Sequence, residues 1–291
     1  MRYQEYRVPP PLDALIECIW FLNAVHRHAP ARQQVFPDGC MELVFHFGTP
    51  FAVTAGGARI QQPRSVLVGM MTRPLTLQPP MTIDTMGVRF RPGGAYPFAG
   101  VSLAAITDGS VELQDLWPAS AASELFERLA AAPDEAARVT LATRALRDRL
   151  GKRADETVSA AVGHLVRTAG RVPVSAVTRE AGVSQRHLQR RFAEQVGVGP
   201  KLLSRILRFQ HTLRYRDPAR GSVGTPVSTP LRAIDWARVA LQCGYSDQPH
   251  LIRDYAQFTG TTPASLVAAE SELSSYFTDP QRLARLFGAR V

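Results

Sequence analysis

The chain has 291 residues, 45% of them hydrophobic and 20% charged, which suits a globular protein of two domains with a core in each. The formal net charge of +9 is unevenly placed. Residues 1–150 carry 14 Arg and no Lys against 14 Asp and Glu, whereas residues 151–291 carry 20 basic against 11 acidic residues. The N-terminus MRYQEYRVPPP has no signal core, no apolar run approaches bilayer length, and three scattered cysteines (Cys18, Cys40, Cys243) without a CxxC give no disulfide scaffold, so a cytoplasmic chain with no membrane partner is expected.

Residues 1 to about 116 read as strands and turns. Pro9-Pro10-Pro11 keeps the start extended. LDALIECIWFL, Leu12 to Leu22, reads as a short buried helix carrying Trp20. The alternating stretch QVFPDGCMELVFHFG reads as two strands joined by a hairpin turn at Pro37-Asp38-Gly39. In its second strand Met41, Leu43, Phe45 and Phe47 share one face, and His46 takes the other. Further strands are expected at Phe51 to Ala55, Ser65 to Gly69 and Thr82 to Ala95, and this many short strands suggests a small barrel or sandwich.

From about Ala119 the composition turns Ala-, Leu- and Arg-rich, and two helices are expected. Pro133 separates them, with Asp134 and Glu135 at the positive end of the second, which ends near Leu150. GKRADET, Gly151 to Thr157, is polar and marks a boundary between domains 1–150 and 151–291. Thr157 to Ala169 then opens the second domain as a helix. Leu202 to Arg216 reads as a long helix with Leu203, Ile206, Leu207 and Leu213 as its apolar stripe. Its arginines Arg205, Arg208, Arg214 and Arg216 fall on other faces, open to phosphate contacts. Arg216 to Pro230 is rich in Pro, Gly and Ser and reads as a loop. A closing helix follows Pro263, and residues 276–291 form a tail with Leu283, Leu286 and Phe287 on one face.

The most informative stretch is Ala240 to Pro263, ALQCGYSDQPHLIRDYAQFTGTTP. Ala240 is small where two helices would approach, and Gly244 ends the first helix in a left-handed conformation. Ser246 or Asp247 can cap the second helix. Leu251, Tyr255 and Phe258 return at helical spacing to face a core, leaving Gln248, His250 and Arg253 off that stripe. The pattern is a helix-turn-helix, and it has an internal copy. His187-Leu188-x-Arg190-x-Phe192 recurs as His250-Leu251-x-Arg253-x-Tyr255, and Gly197 and Pro200 recur as Gly260 and Pro263 at matching offsets.

On these residues, positions of about 170 to 268 resemble the paired helix-turn-helix domain of the AraC/XylS family of bacterial transcription regulators. The resemblance implies an all-α C-terminal domain of two helix-turn-helix units joined by a long helix, with double-stranded DNA as partner and two successive major-groove segments as its target. Carried over residue by residue, it places Ser184, Gln185, Arg186, His187, Gln189 and Arg190 at the DNA in the first unit. In the second it places Ser246, Asp247, Gln248, His250 and Arg253. The sequence departs from the pattern at Thr178, where the family usually has Ala, and in the long Arg216–Pro230 connection. The stretches PDGCMELVFHFG and GVRFRPGGAYPFAGV also resemble an N-terminal domain of some AraC-like regulators, which implies a sensor or dimerisation role, a homodimer, a small-molecule effector and contact with RNA polymerase. In that setting the helices of residues 119–150 either couple sensor to DNA-binding domain or cover the barrel. The fold class expected is therefore α+β in two domains, a β-rich N-terminal barrel or sandwich with flanking helices followed by the all-α domain.

Catalytic and metal chemistry fit the sequence less well. Cys40 beside its turn has no sequence-adjacent His or Lys to lower its pKa, and reads as a small buried residue. Some alkyl-transfer repair proteins join a similar DNA-binding domain to a Pro-Cys-His-Arg nucleophile motif, which is absent here. A DNA-acting enzyme addressed by the helix-turn-helix pair is the alternative function. His26-x-His28 lacks the downstream Glu of a metal-binding set, since position 32 is Arg. Gly56-Gly57 and Gly93-Gly94 lack a phosphate-loop context. Arg89 and Arg91 would share a strand face, there to bind an acidic effector or to pair on the surface with Glu42 and Asp84. No cofactor, metal or catalytic residue is expected.

Overall fold

The computed structural model describes residues 1–55, 58–151, 154–213 and 234–268. The expected Arg216–Pro230 loop, Arg214, Gly56-Gly57, Lys152-Arg153 of the boundary segment and everything after Ala268 lie outside them. No helix among the described residues is long and apolar enough to cross a membrane.

The N-terminal region is β-rich, with strands β1 (Arg2–Tyr6), β2 (Ile16–Val25), β3 (Gln33–Val35), β4 (Met41–His46), β5 (Ala52–Ala55), β6 (Ala58–Gln61), β7 (Ser65–Val68), β8 (Leu75–Gln78), β9 (Thr82–Phe90) and β10 (Ser110–Glu112). They form two antiparallel sheets, one in the order β1-β2-β9-β4-β7-β10 and one in the order β3-β8-β5-β6. The two faces of the larger sheet are both apolar, for different partners. Ile19, Phe21, Leu43, Phe45, Met86 and Val88 pack toward the helices. Cys18, Trp20, Leu22, Val44, Val66 and Ile83 face the smaller sheet.

That double burial corrects the helix expected at Leu12 to Leu22. Only Leu12–Ala14 form a short 3-10 turn, and β2 follows from Ile16. β2 pairs with β1 on one side and β9 on the other. A central strand apolar on both faces loses the alternation that would have identified it. Gly87 of β9 is needed opposite it, because a Cβ there would collide with the Trp20 ring.

Pro37-Asp38-Gly39 is likewise no hairpin. β3 pairs with β8 in the smaller sheet, while β4 pairs with β7 and β9 in the larger one. Residues 36–40 carry the chain from one sheet to the other, with Gly39 at φ +85°. Arg89 and Arg91 also part company. Arg91 lies past the end of β9 and donates from Nε to the Asp13 carbonyl at 2.9 Å. Arg89 is buried rather than on the surface, in ion pairs with Glu17, Asp38 and Glu42. Asp84 pairs with Arg138 instead, at 3.2 Å.

Four helices flank the sandwich: α1 (Tyr96–Ala99), α2 (Leu113–Leu116), α3 (Ala119–Ala130) and α4 (Glu135–Asp148). Asp134 caps α4 by accepting from the Ala137 N–H at 2.8 Å. Leu125, Phe126, Leu129, Ala142 and Leu146 of α3 and α4 enter the same core as Phe45 and Val88, so this pair covers the sandwich.

The C-terminal region is helical: α5 (Glu156–Arg167), α6 (Val174–Glu180), α7 (Gln185–Val196), α8 (Pro200–Thr212), α9 (Trp236–Gln242), α10 (Gln248–Thr259) and α11 (Pro263–Ala268). The expected stripe of α8 is buried at Leu203, Ile206, Leu207 and Leu213. Leu188, Phe192 and Val196 of α7 and Leu203 and Leu207 of α8 belong to the core that includes Phe45 and Val88. Phe209, Leu251, Tyr255 and Phe258 form a separate core, which takes in Phe36 from the β-rich region.

Candidate nucleic-acid interface

The two halves of the C-terminal region repeat the same local chemistry. α6 turns into α7 through Gly182 (φ +63°), and α9 into α10 through Gly244 (φ +79°). Ser184 caps α7 by accepting from the His187 N–H at 3.2 Å, and Asp247 caps α10 by accepting from the His250 N–H at 2.7 Å. Asp247 rather than Ser246 is therefore the cap of the second unit. Gly197 and Gly260 end the two helices in left-handed conformations, and Pro200 and Pro263 open the helices that follow. The inward residues match as well. Leu188 and Leu251 are fully buried, as are Phe192 and Tyr255.

Between these fixed points the outward faces of α7 and α10 stand in solvent. Gln185, Arg186, His187, Gln189 and Arg190 are exposed, as are Gln248 and Arg253. Arg186, Arg190 and Arg253 make no ion pair among the described residues. Gln189 lies against Gly199, whose missing side chain makes room for its amide. Of the eleven residues carried over by resemblance, four are engaged within their own turns. Ser184 and Asp247 serve as caps, and His250 is held by Ser246 Oγ at 3.1 Å from its Nδ1 and by an edge-on contact with the Tyr245 ring.

The α8 arginines behave differently from expectation. Arg205 pairs with the buried Asp254 of α10 at 2.6 Å and also donates to Gln257. Arg208 lies over the Tyr245 ring, 5.2 Å from its centroid, and reaches the Gly244 carbonyl at 3.5 Å. Both tie α8 to the second helix-turn-helix instead of facing outward. At the departing position, the Thr178 hydroxyl donates to the Ser175 carbonyl at 3.0 Å within its own helix, so the turn closes as it does beside Ala240.

The β-rich region holds the opposite ends of the two outward helices. Tyr96 donates to Glu194 of α7 at 2.8 Å, and Thr107 to the Gly197 carbonyl at 2.6 Å. Gln257 of α10 reaches the Thr72 carbonyl at 3.4 Å, and Gln210 of α8 donates to the Pro37 carbonyl at 2.7 Å. These contacts could not be read from sequence, because they join residues remote in the chain, three of the four through backbone carbonyls. The site missed altogether is the space between the two sheets, lined by Asp38, Glu42 and His46. The alternation of MELVFH did carry a signal, placing Glu42, Val44 and His46 together on the face away from Leu43 and Phe45.

Neither catalytic reading gains support. Cys40 is 3% exposed, and burial pushes its thiol well above the usual range, against the reactive thiolate a nucleophile requires. All three cysteines are buried and free. His26 and His28 follow the end of β2, and no group of three or more His, Cys, Asp or Glu among the described residues is placed to hold a metal.

Residues 4–112 match a family model described as a domain of unknown function, DUF6597. No curated protein sequence matches the chain. Among solved structures the chain is similar to ToxT from Vibrio cholerae, at 9% identity and a TM-score of 0.44, over 85% of this chain and 98% of that one. A structure of wild-type ToxT with an unsaturated fatty acid bound is similar at 9% identity and a TM-score of 0.40, over 83% of this chain and 96% of that one.

Proposed function

We propose that this protein is a DNA-binding transcription regulator of the AraC type, in which α7 and α10 enter two successive major-groove segments. The observation that carries the reading is the repeated unit itself. Two helices with the same capping, the same buried anchors and the same terminal glycine present uncommitted Arg and Gln side chains on one outward face each. Such side chains are the ones that pair bidentately with guanine and adenine edges. The positive charge concentrated in residues 151–291 supports the same reading, since phosphate neutralisation supplies much of the affinity in such complexes. Residues 1–150 then form the domain that modulates binding, through an effector or through a homodimer, and sedimentation of the full chain measures the latter.

Selection of bound sequences from a random duplex pool at near-physiological salt tests the proposal. Two conserved boxes about one helical turn apart are expected. Binding that is salt-sensitive but indifferent to sequence would refute it.

A further inference from the structure

The two sheets of the β-rich region leave a cavity of about 90 Å³ between them. Its walls are mainly apolar, with Leu22 and Val44 from the larger sheet, Leu75 and Leu77 from β8, and Phe51. A closed apolar cavity of roughly 150 Å³ admits benzene; this one is smaller but open on one side, so it encloses a short alkyl group whole and a ring in part.

Two polar features interrupt this lining. The first is the pair Asp38 and Glu42, which with Glu17 surrounds Arg89. Three carboxyls meet one guanidinium, so the surplus charge is negative once Glu42, raised by burial to about 7, has released its proton. The register of β2 shifts between Ile16 and Cys18, where Glu17 reaches Arg89 at 3.3 Å. Trp20 lines the same space and donates its indole N–H to Glu42. The second feature is His46, 1% exposed. Its Nδ1 lies 3.2 Å from Thr85 Oγ1, and its buried Nε2 has no hydrogen bond of ordinary geometry, with the Gln62 side chain as its polar neighbour in the lining. Burial, opposed in part by Gln62, lowers this imidazole to about 4, so at neutral pH it is uncharged and adds no positive charge to the cavity wall. A surplus charge in an apolar wall is costly unless something meets it.

We propose that this cavity binds a small apolar cation, a protonated amine on a ring or short alkyl body, with its ammonium against Asp38 and Glu42 beside the Trp20 ring. An anion would face three carboxyls and an Arg89 already fully engaged. A neutral guest would leave the negative surplus unmet, whereas a cation answers it.

The same segment that lines the cavity touches α8. Val35, Asp38 and Cys40 line the cavity. Between them, Phe36 is buried in the core of the second helix-turn-helix, the Pro37 carbonyl accepts from Gln210, and Gly39 lies against Leu203. Occupancy of the cavity therefore bears on the helix joining the two units, a consequence that rests on the regulator reading above.

Isothermal titration of the full-length protein at pH 7.5 with benzylamine, benzyl alcohol and benzoate tests the proposal, and it needs no DNA. Benzylamine is expected to bind at least tenfold more tightly than the other two. Glu42 faces Tyr3 from β1, Glu17, Cys18 and Trp20 from β2, Arg89 from β9, and Asp38 and Cys40 beside it. Burial holds its carboxyl at about 7, so benzylamine should bind several-fold more weakly at pH 6. Glu42→Gln should cut the preference for the amine several-fold, and Leu77→Trp, which fills the cavity from the other sheet, should abolish binding. Equal or tighter binding of benzyl alcohol or benzoate, no binding of any of the three, or undiminished binding by Leu77→Trp would each overturn the proposal. With a selected operator in hand, saturating benzylamine should change DNA affinity at least threefold. An unchanged affinity would overturn the link to α8 while leaving the calorimetric result standing.

Discussion

Replacing Glu42 with Gln should change how stability depends on pH. The carboxyl is buried beside Asp38 and Arg89, and burial, opposed in part by Arg89, raises it from 4.5 to about 7. In the unfolded chain it releases its proton near the ordinary value. Between those two pH values the folded state therefore holds more protons, and stability must fall as pH rises through the window. Below it the carboxyl is neutral in both states and costs nothing. Above it the cost is complete, and at 1.36 kcal/mol per pH unit the difference between about 7 and 4.5 comes to about 3 kcal/mol. The amide that replaces the carboxyl keeps its size and a hydrogen-bonding oxygen for Trp20 but cannot ionise. Urea unfolding of both proteins from pH 4.5 to 8, followed by circular dichroism, reads the effect of the Glu42 cluster, because titrating groups outside it cancel in the difference. The variant should gain about 3 kcal/mol on the wild type across that range. Two curves that stay parallel from pH 4.5 to 8 would refute the reasoning.

Arg190→Ala and Arg253→Ala should each weaken binding to the selected operator by about 1–3 kcal/mol at one base position, with circular dichroism unchanged, since neither side chain has a partner in the fold among the described residues; equal anisotropy titrations for wild type and both variants would remove these residues from the interface. Asp247→Ala removes the acceptor for the His250 N–H and should lower stability by about 1 kcal/mol, read as a lower urea midpoint. Gly87→Ala forces Trp20 from its place over β9, and overpacking of this kind costs about 1–3 kcal/mol; near-ultraviolet dichroism that matches the wild type would show that the ring had room to spare.

The helix-turn-helix repeat was legible because its determinants are local. A cap lies three residues from the N–H it satisfies and a terminal glycine follows the last helical turn, so Gly197 and Gly260 stood out as matched positions and the second cap narrowed to Ser246 or Asp247, while Ser184 took its capping role only in the structure. The β-rich region was less legible because its determinants are pairings. β2 looked helical since both of its faces are buried, and the turn at Pro37 to Gly39 looked like a hairpin since nothing local says that the strands beside it enter different sheets. Arg89 looked like a surface charge because Glu17, Asp38 and Glu42 reach it from distant positions. Arg205 looked available for the same reason, its partner Asp254 lying on another helix.

The boundary near residue 150 is a boundary in the chain more than in the interior. Leu188, Phe192 and Leu203 share one buried cluster with Phe45 and Val88, whereas Leu251, Tyr255 and Phe258 have a cluster of their own that the β-rich region enters with Phe36. The two outward helices thus differ in independence. α7 is built into the sandwich and should resist local opening as strongly as the strands do, while α10 belongs to a smaller cooperative unit that can open alone. A regulator made this way would have one fixed hand and one freer hand on its DNA, and residues 35–41 reach both, Phe36 in the core of the second unit and Met41 against Gly197 at the end of α7.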